Sequence, residues 1–318
     1  MMQAKLHAGE PDIDDDLVRR MVAERFPRWA GFPVSRVESS GTENAMFRLG
    51  TDMAVRLPRR EGAADAVCLE QRWLPYLAEH LPSAVPVPLG MGAPTAGFPW
   101  NWSVLRWLDG ENPTVDGLAR AGAEVGRGSA ADSGAGAVDP VRLAEDLAAF
   151  ITALRSVPTA GAPESDRGGP LAERDSETRA AIEALHDTID TRAATAAWEA
   201  ALRLPGPVGP SAWLHGDLSP GNVLVREGRL AAVIDFGGVG VGDPTADLVP
   251  AWNLLPAGAR EPFRRAVGAD RTAWQRAAAW ALSIALIQLP YYRATNPPLA
   301  ANSRHVIGEV LAERAAGA

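Results

Sequence analysis

The sequence predicts an α+β chain of two lobes, a small antiparallel-sheet lobe over residues 1–108 and a mostly helical lobe over 109–318. Three observations carry this. Short apolar runs separated by Gly, Asp and Asn turns fill the first third. Apolar residues at three- and four-residue spacing dominate the rest. Strands precede helices instead of alternating with them, which argues against a parallel strand–helix fold. No internal repeat is visible.

Residues 12–25 read as an amphipathic helix, with Ile13, Leu17, Met21 and Val22 on one face and acidic residues in the first turn, where the helix dipole favours them. Residues 34–39, 45–49 and 53–57 read as strands, with a turn at 40–44 and Gly50-Thr51-Asp52 joining the last two. Residues 66–80 form a second helix with Leu69, Trp73, Leu77 and Leu81 on one face. Residues 85–88 are extended, and 102–108 form a strand ending at Asp109-Gly110. Residues 119–140, rich in Gly, Ala and Ser with no clear apolar face, read as a flexible insertion. A helix follows over 141–155, a loop over 158–170 and a mostly helical stretch over 173–204. Two short strands, 223–225 and 231–234, flank Glu227-Gly228 as a hairpin inside a segment spanning about 206–240. Helical patterns at 247–255, 261–267, 272–289 and 298–315 complete the chain.

At 318 residues and 47% apolar content the chain can bury a substantial core. A net charge of −8 speaks against bulk nucleic-acid binding and is compatible with a cationic small molecule. The single cysteine, Cys68, excludes an intrachain disulfide and a Cys-built zinc site, and the five histidines are scattered. The start shows no apolar leader, and the longest apolar stretch, 277–289, is broken by Ser283 and Gln288 and too short to span a bilayer. The expectation is a cytoplasmic protein, monomer or homodimer, with neither membrane nor nucleic acid as partner. Lys5 is the only lysine, so any cationic task elsewhere falls to arginine.

The densest chemical signal is His215-Gly216-Asp217-Leu218-Ser219-Pro220-Gly221-Asn222, followed by Ile234-Asp235-Phe236-Gly237 on a new apolar strand. A nucleophilic hydroxyl needs a carboxylate to orient it and accept its proton, and magnesium needs hard oxygen ligands, which Asn and Asp supply. The paired motif resembles the aminoglycoside phosphotransferase family, small-molecule relatives of the protein kinases, and implies the protein-kinase-like bilobal fold. Gly216 stands where protein kinases carry Arg, and Ser219 where they carry a phosphate-contacting lysine; both point to small-molecule acceptors.

The resemblance implies roles. Asp217 would be the catalytic base, Asn222 and Asp235 the Mg2+ ligands, and His215 and Asp247 structural supports. Arg56, in Ala54-Val55-Arg56-Leu57, would hold the phosphates in place of the kinase lysine, with Glu70 as its helix partner. Ser40, Gly41 and Thr42 would cover the phosphates, though no G-x-G-x-x-G is present. Backbone groups of Arg106 and Leu108 would meet the base of ATP or GTP. Trp252, Trp274, Trp280, Tyr291 and Tyr292 are either substrate-cleft aromatics or core. The implied activity is O-phosphorylation of a small polar molecule, an aminoglycoside or related antibiotic first, conferring resistance by inactivation. A kinase of an endogenous amino alcohol, sugar or homoserine-like compound and a non-catalytic nucleotide-binding regulator stand as alternatives.

Overall fold

The computed structural model describes residues 9–37, 41–126, 138–207 and 209–317. The chain divides into two compact units: Met1–Asp109 with Val233–Gly237, and Gly110–Ala232 with Gly238–Ala318.

The first unit starts with α1 (Asp15–Arg25), capped by Asp14, whose carboxylate accepts from the Leu17 N–H at 2.7 Å. Strands β1 (Val34–Val37), β2 (Asn44–Leu49) and β3 (Met53–Pro58) form a meander, with Gly50 at φ 63° in the tight turn between β2 and β3. After α2 (Glu61–Ala78) come β4 (Pro88–Gly92) and β5 (Trp102–Arg106). The antiparallel sheet runs β1-β2-β3-β5-β4, so β3 is central and every residue of it is buried. Leu17 and Met21 of α1 pack with Phe47, Val55 and Trp102 of the sheet as one core. Glu10, near the chain start, pairs with buried Arg59 at 2.5 Å.

Two details differ from the sequence expectations. The extended stretch pairs as β4 at Pro88–Gly92, beyond 85–88. Helix α2 starts five residues earlier and buries Ala63, Val67, Glu70, Leu74 and Leu77. Of the face expected from apolarity, only Leu77 is buried, because the helix turns Glu70 inward to a charged partner.

The second unit holds α3 (Val115–Gly126), α4 (Pro140–Ser156), α5 (Asp175–Ala184) and α6 (Thr191–Leu202). Then follow β6 (Ala212–Leu214), the hairpin β7 (Val223–Arg226) and β8 (Arg229–Val233), and β9 (Gly240–Gly242), which pairs antiparallel with β6. The hairpin turn is Glu227-Gly228, both at positive φ, as a two-residue type I′ turn requires. Helices α7 (Pro250–Asn253), α8 (Ala257–Ala266), α9 (Arg271–Tyr292) and α10 (Pro297–Ala316) end the chain. Helix α9 buries eleven residues and packs on α10, α5 and α6. The expected insertion is corrected in part: 115–126 is helical, and alanine-rich sequence favours a helix even where glycines blur its apolar face. Residues 127–137 lie outside the described ones.

Trp252, Trp274 and Trp280 are core residues. The first two indole N–H groups donate to the two carboxylate oxygens of Glu313, at 2.7 and 2.8 Å. No helix among the described residues is long and apolar enough to cross a membrane.

Candidate active site

In the first unit the sheet register sets Arg56 between Met46 on β2 and Ser103 on β5. Its guanidinium is buried and lies against two carboxylates. Nη1 donates to both oxygens of Glu70 at 2.5 Å, and Nη2 donates to Asp235 Oδ1 at 2.6 Å. Asn44, at the start of β2, completes the shell: with its amide oxygen assigned to face the guanidinium, it accepts from Nη2 at 2.8 Å and Nε at 3.0 Å. A lone buried guanidinium would cost several kcal/mol, so the carboxylates hold it in its charged form. The two carboxylates push the Arg56 pKa further above its ordinary value, outweighing the effect of burial. Burial pushes the Glu70 carboxyl up, with Arg56 pulling the other way and Asp235 adding to the rise.

One guanidinium against two carboxylates leaves the cluster with an excess negative charge. Asp235 is also held at φ 65°, one of only two non-glycine residues at positive φ among those described. Such a backbone costs of order 1–3 kcal/mol and concentrates at functional sites. Its Oδ1 is engaged by Arg56, which leaves Oδ2 on a half-exposed side chain for a cation. The Phe236 backbone holds Glu70 by a further hydrogen bond. At Gly237 a Cβ would stand 3.1 Å from Ala66 Cβ, so a side chain there would push this turn a few tenths of an ångström off α2.

The other proposed nucleotide contacts are less defined. Gly41 and Thr42 sit between β1 and β2, and Ser40 lies outside the described residues. Arg106, at the end of β5, donates its N–H to Val87 O at 2.9 Å, leaving its carbonyl for a base; Leu108 follows two residues on.

In the second unit the loop after β6 is held by backbone-directed bonds. Asp247 is buried and accepts from the N–H groups of His215 at 2.6 Å and Gly216 at 2.8 Å. Burial pushes its carboxyl up, against the pull of those two N–H groups and of His215. His215 is buried, and its Nδ1 accepts from the Asp217 N–H at 3.2 Å. Gly216 has φ 83°, and a Cβ there would stand 2.9 Å from Gly238 O and 3.1 Å from Arg167 Cβ. Neither the conformation nor the space admits a side chain, which is why glycine occupies the place of the kinase arginine.

Asp217 is half-buried, with its carboxylate braced from one side. Asn222 Nδ2 donates to Asp217 O at 2.8 Å and Oδ2 at 3.0 Å. Spending the amide nitrogen on this brace leaves Asn222 Oδ1 as a hard oxygen donor. Among the described residues no three His, Cys, Asp or Glu gather as a metal cage.

Several supports carry no sequence signal. Asn112 Nδ2 lies 2.9 Å from both Gly221 O and Val223 O and stitches the loop from a remote segment. Asn253 donates to Leu218 O at 2.9 Å, and Asn302 on α10 donates to Asn253 O at 2.7 Å. These amides lie far from the motif in sequence. Asp243 accepts from the Thr245 N–H at 3.0 Å and pairs with buried Arg276, a structural role.

The chain matches a known family. The model of the APH phosphotransferase enzyme family matches residues 35–280, most of the chain. The protein belongs to that family. An aminoglycoside 3'-phosphotransferase from Escherichia coli is 35% identical over 129 residues, 39% of this chain and 45% of the relative. The chain thus matches less than half the length of that curated relative. The structure of the GDP and kanamycin complex of APH(2")-IIia aligns with a TM-score of 0.70 at 20% identity, covering 93% of this chain and 99% of that one. Macrolide 2'-phosphotransferase MphH from Brachybacterium faecium aligns at 0.59 and 22%, covering 92% and 97%. The order of strands and helices predicted the α+β class, and these likenesses bear out the protein-kinase-like fold that the resemblance implied.

Proposed function

We propose that the protein is a nucleotide-dependent O-phosphotransferase that transfers the γ-phosphoryl of ATP or GTP to a hydroxyl of an aminoglycoside or related antibiotic, inactivating it. The observation that carries this reading is Asp217, half-exposed on a loop whose backbone is pinned by Asp247 and whose carboxylate is braced by Asn222. A carboxylate so fixed orients an acceptor hydroxyl and takes its proton. The transition state is loose, so positioning matters more than base strength.

Asn222 Oδ1 and Asp235 Oδ2 are the oxygens that would hold Mg2+, which supplies charge neutralisation on the phosphates. Arg56 is the cation for the phosphates. Its Nη2 is shared with Asp235, so it can release that edge to a phosphate oxygen while Nη1 stays on Glu70. The relatives, an aminoglycoside 3'-phosphotransferase and a phosphotransferase in complex with kanamycin and GDP, support both donor and acceptor class.

The test is an acceptor panel with Mg-ATP and with Mg-GTP, reading diphosphate release together with acceptor mass. The expected result is a monophosphorylated antibiotic. Nucleotide turnover with no acceptor modified, or no turnover with any antibiotic, contradicts the reading.

A further inference from the structure

We propose that Arg167 is a catalytic residue: its guanidinium contacts the phosphoryl group in transfer, supplying from another segment a cation that the loop after β6 lacks. This rests on the phosphotransferase reading and adds a residue to that same site.

The need for such a cation is chemical. Negative charge spreads over the equatorial oxygens of the phosphoryl as it passes to the acceptor, and Asp217 sets a further negative charge beside it. Yet residues 216–222 include neither arginine nor lysine. Within the second unit the cation must come from outside that loop.

Arg167 is placed to provide it. Its Cβ and Cγ lie over Gly216, where an added Cβ would stand 3.1 and 3.2 Å from them. A Cβ at Gly238 would stand 3.8 Å from the same Cγ. The arginine stem thus fills the space that two glycines leave next to Asp217. The residue is partly exposed, and among the described residues its guanidinium makes no ion pair or hydrogen bond.

The segment that carries Arg167 is pinned by its backbone. Ser165, 8% exposed, donates its hydroxyl to Gly238 O at 2.8 Å and accepts from the Arg167 N–H at 3.2 Å. The Ser165 N–H donates to Val241 O at 3.0 Å, the Val241 N–H to Pro163 O at 2.8 Å, and the Asp243 N–H to Gly168 O at 2.8 Å. These bonds lay 163–168 along β9. A Cβ at Gly240 would stand 2.7 Å from Ser165 N, so the segment comes this close only against glycine. An arginine with only solvent to meet requires none of this.

The neighbouring arginines are committed. Arg174 Nε donates to Ser283 Oγ at 2.9 Å, and its guanidinium lies over the Trp280 ring. Burial holds Arg174 below its ordinary pKa, and the nearby charge of Arg167 adds to that fall. Arg155 donates to Pro244 O at 2.6 Å, and Arg276 pairs with Asp243. Of these four, Arg167 is the one left to meet an anion.

The experiment compares the full-chain parent, Arg167→Met and Arg167→Lys with Mg-ATP or Mg-GTP and the antibiotic that the parent phosphorylates fastest in the acceptor panel. Methionine keeps the stem over Gly216 and Gly238 and removes the charge; lysine keeps stem and charge. Arg167→Met should lower kcat on the order of a hundredfold with the nucleotide KM unmoved, the sign of a contact made in the transition state. Arg167→Lys should regain about tenfold of that loss, as a point charge without the fork. A kcat for Arg167→Met within about twofold of the parent, equal losses in the two variants, or a change in nucleotide KM alone overturns the inference and leaves the kinase reading intact. A parent that phosphorylates no antibiotic overturns both. Melting curves accompany the kinetics; where both variants loosen the segment, the Lys-to-Met ratio of kcat still isolates the charge.

Discussion

The two parts of the candidate site are held by opposite means. Around Arg56 the first unit uses charge: one buried guanidinium, two carboxylates and an amide, placed by the sheet, by α2 and by the turn after β8. Around Asp217 the second unit uses backbone hydrogen bonds: Asp247, Asn112 and Asn253 all grip main-chain atoms of the loop. On the proposed reading the carboxylates of the first arrangement serve a cation and its guanidinium serves the phosphates, so its side chains must be free to exchange partners. The second fixes a loop so that one carboxylate stays aimed, and charge plays little part in it. Substitutions should separate along this line, into nucleotide effects around Arg56 and Asp235 and turnover effects around Asp217, with Asn222 contributing to both.

The largest expected effect is from Asp217→Asn. Loss of the positioned base should lower turnover on the order of a hundredfold to ten-thousandfold, measured with a phosphorylated-acceptor assay. Next is Gly216→Ala. It forces a side chain into positive φ and against Gly238 O, costing at least about 1–2 kcal/mol in loop geometry. Turnover should fall with nucleotide affinity retained, read by kinetics beside calorimetric titration. Asp247→Asn comes third. An amide offers one acceptor to two buried N–H groups, and each buried N–H left unmade costs about 1–3 kcal/mol. Thermal melting should show that loss.

Arg56→Lys keeps the charge and removes the fork. An ammonium cannot span Glu70, Asp235 and Asn44 as the guanidinium does, so nucleotide KM should rise several-fold while kcat changes less. The smallest effect belongs to Asp146, which accepts from Arg229 and from the Leu230 N–H at 3.1 Å and so ties the hairpin to α4. The Arg229 hydrogen bond lowers its carboxyl below the ordinary value. A depressed folded pKa contributes stability above the unfolded value of about 3.9, lost as pH falls through the folded pKa. The melting difference between parent and Asp146→Asn should therefore be full at pH 7, begin to shrink as pH falls below about 4 and vanish once pH is below the folded pKa. A difference that persists there would assign it to packing.

The strand-then-helix order was legible in the sequence because turn residues and apolar spacing agree along most of it. The strands of the meander fall where alternating apolar runs and Gly50 set them. The face of α2 was not legible from apolar spacing, although the resemblance named Glu70 as the partner of Arg56, and the two pair in the structure. The motif exposes Asp217, Asn222 and Asp235 because the chemistry proposed for them requires those residue types at close spacing. Asn44, Asn112, Asn253 and Asn302 stayed hidden for the opposite reason. Each acts across long sequence separations on backbone or guanidinium atoms, and a neutral amide leaves no charge or spacing pattern to read. The glycine at position 216 could be read as a departure from kinases, but its cause, a positive φ beside Gly238, appears only in three dimensions.

The most direct test of the division of labour is a magnesium-dependent nucleotide titration of the parent, Asp217→Asn and Asp235→Asn side by side. Asp217→Asn should bind Mg-nucleotide as the parent does, and Asp235→Asn should bind it more weakly with its magnesium dependence reduced. Weakened binding in Asp217→Asn, or parent-like binding in Asp235→Asn, would contradict the assignment of charge storage to one unit and hydroxyl positioning to the other.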